Sequence, residues 1–226
     1  MGNIRKYGIP NILTADGPQG ARLNTTATAW PCSAQLACTW NLEMAEEFGK
    51  RVAQECAQYG IDIWLAPGMN IHRDPLCGRN FEYYSEDPLL TGKMAAAVTV
   101  GAQSQNVAVA IKHFAGNNKE NNRSNNDSRI SERALREIYL KGFEIAIKEG
   151  GAWTVMSSYN LINGIETAEN YELITNILRD EWGFDGLVMT DWGNNSIHAL
   201  EAKAGNDVKM ASGNPANLQA ALESGL

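Results

Sequence analysis

An apolar run that stops at a carboxylate is the sharpest chemical signal in this chain. In the segment GFDGLVMTDWG the run 187–190 ends at Asp191, which is followed by Trp192 and Gly193. A carboxylate held at the end of a buried strand can attack a glycosidic carbon, and a neighbouring indole can pack on a sugar ring. The nucleophile must be ionised, and Lys112 and Arg123 are the cations expected to keep its pKa low. Spacing alone leaves a second reading open, in which Asp191 only caps a helix that starts near Asn194.

Other apolar runs end in a similar way. Run 9–13 is followed by Asp16, Gly17, Pro18 and then Arg22, and run 61–65 by Arg73, Asp74, Arg79 and Glu82. Run 107–111 leads to Lys112, His113 and, further on, Arg123, while run 154–157 leads to Ser158, Tyr159 and Asn160. Carboxylates and cationic donors suit pairs of hydroxyls, and aromatic rings suit the apolar face of a sugar. Each residue also has a structural reading. Asp16-Gly17-Pro18 is a good turn, Arg79 could merely pair with Glu82, and Lys112 and His113 could be a paired lysine and a hydrogen-bonded histidine. Lys112 also admits a non-sugar chemistry, Schiff-base formation in a barrel lyase or aldolase. Trp30, Trp40, Trp64, Trp153 and Trp182 are expected in core or helix packing.

The elements that must position these groups alternate. The short apolar runs read as strands buried on both faces, with a further run at 207–210. Helical patterns fill the gaps at 42–59, 87–105, 131–149, 170–181, 194–204 and 214–224. Asp87 with Pro88 and Ser131 with Glu132 mark helix starts, and Gly183 marks a stop. Strand–helix alternation implies a parallel α/β sheet. No G-x-G-x-x-G follows the first strand, which argues against a doubly wound dinucleotide fold. The expected fold is a (β/α) TIM-like barrel in which chemistry gathers at the strand C-termini. A complete barrel takes about 250 residues, so residues 1–226 are expected to form one barrel-type domain, partial or truncated.

Composition narrows the partners. The net charge of −7 disfavours nucleic acid, and no stretch reads as a membrane span. The 4 cysteines lack a C-x-x-C and are expected as free, buried thiols. The 3 histidines have no metal-ligand spacing, so no metal or other cofactor is expected. The opening MGNIRKYGIP has no apolar core of a secretory signal. N-x-S/T sequons at Asn122 and Asn194 adjoin candidate site residues, which favours an unglycosylated, bacterial cytoplasmic setting.

Taken together, TADGPQGAR, LAPGMNIHRDPLCGRNFEYYSEDP, KHFAGNNKENNR, MSSYN and FDGLVMTDWG resemble glycoside hydrolase family 3 β-glucosidases, in the family's order, across nearly the whole chain. The resemblance implies retaining hydrolysis of terminal β-linked sugars, with Asp191 as nucleophile. It implies that Asp16, Arg79, Lys112, His113 and Arg123 hold the first sugar and that Arg22, Tyr159 and Trp192 add wall. The loop reads KHFAGNN where the family's barrel-only hexosaminidases carry a second histidine, so that branch is disfavoured. A retaining enzyme needs a second carboxyl about 5–5.5 Å from the first. Glu82, Glu120 and Glu166 qualify by loop position only. In the β-glucosidase branch the acid/base comes from a separate αβα sandwich domain, which these residues do not include. The chain is therefore expected to be weakly active or inactive alone, to retain a sugar pocket, and to self-associate through exposed apolar surface or pair with that domain. The alternative is a non-catalytic carbohydrate-binding remnant.

Overall fold

The computed structural model describes residues 2–211 and 213–226. Along the chain come β1 (Thr14–Asp16), α1 (Ser33–Ala37), α2 (Leu42–Gln58), β2 (Ile63–Leu65), α3 (Pro88–Gln103) and β3 (Ala108–Phe114). They are followed by β4 (Asp127–Ser128), α4 (Glu132–Ala134), α5 (Lys141–Lys148), β5 (Thr154–Ser157), β6 (Leu161–Ile162) and β7 (Ile165–Glu166). Next come β8 (Leu187–Met189), α6 (His198–Ala204) and α7 (Pro215–Ser224). The main sheet has the order β1-β2-β3-β5-β8 and every pairing in it is parallel. Strands β4, β6 and β7 form a small separate sheet.

The order of the main sheet follows the chain without reversal. A doubly wound sheet reverses at its switch point, whereas a (β/α) barrel adds each strand on the same side. Its packing is also that of a barrel wall. Trp64, Val109, Ile111, Val155 and Val188 point outward into the large core shared with the helices. Their neighbours Ile63, Leu65, Ala110, Met156 and Met189 point the other way into a second core, joined by Met210. Strands buried on both faces explain the continuous apolar runs. The architecture is a TIM-like (β/α) barrel, and the wall is open among the described residues.

The helices begin where expected. Asn41 Oδ1 caps α2 by accepting from Met44 N at 3.0 Å, and Asp87 Oδ1 caps α3 from Leu90 N at 2.8 Å. Ser131 Oγ accepts from Ala134 N at 3.3 Å. The helix expected over 131–149 is broken, however. Its middle, Leu135–Tyr139, is a wide π-helical turn in which Leu140 N reaches Leu135 O at 2.8 Å. Glu172–Glu181 is likewise π-helical, and Gly183 follows it with φ 71°. A window of helical periodicity does not register such an inserted residue. No helix among the described residues is long and apolar enough to cross a membrane.

Two expected strands and one helix start require correction. The first strand is not 9–13 but Thr14–Asp16, because Thr14 to Asp16 pair with Ile63 to Leu65. Ile9 instead bridges Ile4 antiparallel, and both Ile9 and Leu13 are exposed. Residues 207–210 make a single parallel bridge, Met189 to Val208, rather than a strand. There the Asp207 carboxylate accepts from Val188 N at 2.7 Å and from Arg179 Nη2 at 2.8 Å. Helix α6 starts at His198, not 194. The preceding turn is held outside the helix by the Lys209 ammonium, which donates to Asn194 Oδ1 at 2.8 Å and to Ser196 O at 3.3 Å. Trp64 is fully buried as expected, but Trp40 and Trp153 are exposed. All the cysteines are free; Cys56 and Cys77 are buried, Cys32 is half-buried and Cys38 is exposed.

Candidate active site

Alternation along the strands decides which side chains face the barrel interior. On β8 the inward residues Leu187 and Met189 lead, two residues on, to Asp191. On β3 Ala108 and Ala110 lead to Lys112, and on β1 Ala15 packs outward, leaving Thr14 and Asp16 inward. These terminal inward positions open onto a cavity of about 690 Å³. Asp16, Arg22, Arg79, Lys112, His113, Arg123, Tyr159, Asp191 and Trp192 all line it. Thr14, Leu65, Phe81, Glu82 and Met156 complete the lining. Of these, Thr14, Leu65 and Met156 follow from the same alternation, whereas Phe81 is carried by the short 3-10 turn Asn80–Glu82, which has no strand periodicity.

Lys112 reaches toward one wall. Its ammonium, buried in the barrel mouth, sits 2.5 Å from Asp16 Oδ1, and Arg22 Nη1 lies 3.3 Å from Asp16 Oδ2. Burial pushes the Asp16 carboxyl up, but Lys112 and then Arg22 outweigh it and hold the pKa below the usual value. Lys112 therefore stands as a paired cation in a polar pocket, which does not suit the amine needed for a Schiff base.

His113 turns to the other wall, with Nε2 3.6 Å from Asp191 Oδ2. It is held by both its backbone and its ring. His113 N donates to Asn70 Oδ1 at 2.9 Å, and Asn70 Nδ2 donates to His113 O at 2.8 Å. The ring nitrogen Nδ1 lies 3.2 Å from the Tyr83 hydroxyl, which accepts from Asn117 Nδ2 at 3.2 Å. Burial, then Arg79, Lys112 and Arg123, hold the imidazole pKa well below its ordinary value. His113 is thus a neutral hydrogen-bonding group.

Arg79 and Arg123 are fixed by carboxylates behind them. Arg79 pairs with buried Glu82 and lies 3.9 Å from Glu120. Arg123 Nη1 donates to Glu120 Oε2 at 2.8 Å, and its guanidinium stacks 4.1 Å from the centre of the Tyr159 ring. Arg79 is therefore both Glu82's partner and a cavity wall. Of the three glutamates that qualify by loop position, Glu82 and Glu120 are engaged with arginines, and Glu166 lies in the β6–β7 hairpin outside the cavity lining. Asn70, Tyr83 and Asn117 were not among the expected site residues; they support His113 from behind.

Asp191 caps no helix. Its Oδ1 accepts from Trp192 N at 2.7 Å, and α6 begins only after Ile197. Its pKa is raised rather than low. Burial dominates, and the Trp192 N–H, Lys112, the Tyr159 hydroxyl and Arg79 offset it only in part. Arg123, expected as a stabilising cation, is spent on Glu120 and Tyr159. The Tyr159 hydroxyl shares its one proton between Asp191 and Trp192 O, which lies 2.5 Å away, tying the turn after Asp191 to the end of β5.

Solved structures carry the same arrangement of chain. β-Glucosidase 3B from Thermotoga neapolitana in complex with glucose superposes with a TM-score of 0.94 at 48% identity, over 98% of this chain and 34% of that one. Bifidobacterium adolescentis GH3 β-glucosidase superposes with a TM-score of 0.95 at 41% identity, over 100% of this chain and 34% of that one. In sequence, β-glucosidase A of Butyrivibrio fibrisolvens is 50% identical over 98% of this chain and 27% of its own. Exo-α-(1→6)-L-arabinopyranosidase of Bifidobacterium longum is 44% identical over 92% of this chain and 29% of its own. The chain thus spans about 27–29% of these two sequence relatives. Residues 3–226 match the glycosyl hydrolase family 3 N-terminal domain, and the chain belongs to glycoside hydrolase family 3.

Proposed function

We propose that residues 1–226 form one barrel-type domain that supplies the nucleophile and first-sugar pocket of a retaining β-glycosidase, with terminal β-linked glucose as the preferred glycone. The observation that carries this reading is the convergence of Asp191, His113, Lys112 and Asp16 on one cavity from strands β8, β3 and β1. Family membership and relatives named β-glucosidase support it.

In this reading the sugar's anomeric carbon sits over Asp191. An Asp191 oxygen forms a bond to that carbon while the glycosidic C–O bond breaks, and water later displaces the carboxylate. Neutral His113 and cationic Lys112 hold hydroxyls between the two carboxylates, and Arg79 and Arg123 close the far wall. Trp192 offers its ring to the sugar face. The carboxylates in the cavity lining are Asp16, Glu82 and Asp191, and the first two are ion-paired. Protonation of the leaving group is accordingly assigned to an acid outside these residues, in the family's αβα sandwich domain. The same count supports a second reading for the isolated chain, which binds sugar without turnover. Exposed Ile4, Tyr7, Ile9 and Leu13 favour self-association or cover by further protein.

The test follows an aryl β-glucoside by NMR with the full-length protein. Initial release of the β-anomer of glucose supports the reading; release of the α-anomer, or no turnover, rejects it.

A further inference from the structure

A neutral imidazole carries one ring hydrogen, and the nitrogen that holds it decides what His113 can offer a ligand. Nε2 lies on the cavity side, 3.6 Å from Asp191 Oδ2. Nδ1 points back into the protein, where two oxygens compete for it. Asn70 Oδ1 stands 3.1 Å away and the Tyr83 hydroxyl 3.2 Å away. An amide oxygen only accepts, whereas a phenol both donates and accepts.

The surrounding network fixes these roles. The Asn70 amide is oriented by the His113 backbone, because Oδ1 accepts from His113 N at 2.9 Å and Nδ2 donates to His113 O at 2.8 Å. Asn70 Oδ1 is therefore satisfied without the ring. The Asn117 amide is oriented by a carboxylate. Its Nδ2 donates to Glu120 Oε1 at 2.9 Å, and Glu120 also holds Arg123, so nitrogen and not oxygen must face it. The same nitrogen lies 3.2 Å from the Tyr83 hydroxyl and donates to it. Tyr83 is fully buried, and among the described residues His113 Nδ1 is the acceptor left for its O–H.

Two arrangements compete. With the hydrogen on Nδ1, a bond to Asn70 Oδ1 is gained. The Tyr83 O–H is then buried without an acceptor, and the Nε2 lone pair is turned on the Asp191 carboxylate. With the hydrogen on Nε2, Nδ1 and Asn70 Oδ1 meet as two neutral acceptors, but every donor has a partner and Nε2–H faces the carboxylate. A stranded buried donor together with a lone pair set against a charge costs more than one contact between neutral acceptors.

We infer that Tyr83 is a positioning residue that donates to Nδ1 and so fixes His113 as the Nε2–H tautomer, a hydrogen-bond donor into the first cavity. The chain of contacts Arg123–Glu120–Asn117–Tyr83–His113 begins and ends on cavity-lining residues, while its three middle members line no part of the cavity. The use made of this donor rests on the function proposed above. There Nε2–H gives its hydrogen to a hydroxyl of the first sugar, which leaves that hydroxyl's own hydrogen free for a carboxylate.

The experiment records nitrogen NMR spectra of the full-length, ligand-free protein with 15N-labelled histidine rings at neutral pH. The His113 signals are assigned by their loss in His113→Gln. The expected result is a hydrogen-bearing Nε2 and a bare Nδ1. A hydrogen on Nδ1 overturns the inference, and this reading requires no change at Tyr83. Tyr83→Phe removes the donor and is expected to move the hydrogen to Nδ1, in whole or in part, where Asn70 Oδ1 receives it. An unchanged tautomer in that variant overturns the role of Tyr83. The same variant is expected to lower kcat/KM on nitrophenyl β-glucoside about tenfold, the scale of one lost hydrogen bond. That penalty is expected to vanish for one of the monodeoxy glucosides, the one lacking the hydroxyl that Nε2–H serves. An equal penalty on all of them overturns the donor role. No turnover of the glucoside beside the expected spectrum rejects the proposed function and leaves the tautomer assigned.

Discussion

Lys112 Nζ lies 2.5 Å from Asp16 Oδ1 across 96 positions of sequence, yet the two partners see different surroundings. The Lys112 side chain is 3% exposed and that of Asp16 is 37% exposed. Loss of Asp16 strands a buried ammonium, whereas loss of Lys112 leaves a carboxylate that water and Arg22 can still serve. Breaking a buried pair from the unfavourable side costs about 3–5 kcal/mol. Asp16→Ala is therefore expected to destabilise the full-length protein by about 3 kcal/mol in urea, and Lys112→Met by clearly less. Equal losses would contradict the asymmetry.

With Asp191 as the proposed nucleophile, its raised pKa sets the acid side of the pH profile. The nucleophile must be ionised, so kcat/KM falls as pH drops through a value above the 3.8 of an ordinary aspartate. His113, held neutral, adds no step near its usual pKa. The Tyr159 hydroxyl lowers the Asp191 pKa, so Tyr159→Phe is expected to move the acid limb to higher pH. A limb that stays put or moves down in that variant would contradict the contact.

Stability carries the opposite sign. A carboxyl whose pKa is raised on folding binds more protons when folded, so its ionisation opposes folding above its folded pKa. Asp191→Asn is expected to raise the melting temperature at neutral pH, with the gain shrinking as pH falls toward 3.8. An unchanged or lower melting temperature at pH 7 would argue that the carboxylate is not held at a cost.

The turn after Asp191 depends on a second buried pair. Glu201 is 1% exposed and receives Lys209 Nζ on both oxygens at 2.8 Å. The same ammonium holds Asn194 and Ser196. Lys209→Met leaves Glu201 uncompensated and is expected to cost about 3–5 kcal/mol in urea denaturation. A cost below about 1 kcal/mol, the range of surface pairs, would mean that water reaches Glu201.

Much of this was legible from residue order because strands buried on both faces write themselves as apolar runs. The run 154–157 coincides with β5, and Asp191 and Lys112 continue the inward alternation of β8 and β3. Residues 9–13 misled because they are apolar yet exposed, and apolar character reports burial only where a neighbour exists to provide it. The pKa of Asp191 departs from the sequence expectation as well. Cations were visible in the sequence, but the desolvation that outweighs them belongs to the assembled barrel. Asn70, Tyr83 and Asn117 were out of reach for a similar reason. Their role comes from contacts with His113 and with each other across the fold, as between Asn70 and His113, 43 positions apart.

The most direct test of the central claim is covalent trapping. The full-length protein is incubated with an activated 2-deoxy-2-fluoro-β-glucoside, digested, and the labelled peptide sequenced by mass spectrometry. The account predicts a single adduct on Asp191, absent from Asp191→Ala. An adduct on Asp16, Glu82 or any other residue, or undiminished labelling of the alanine variant, would contradict it.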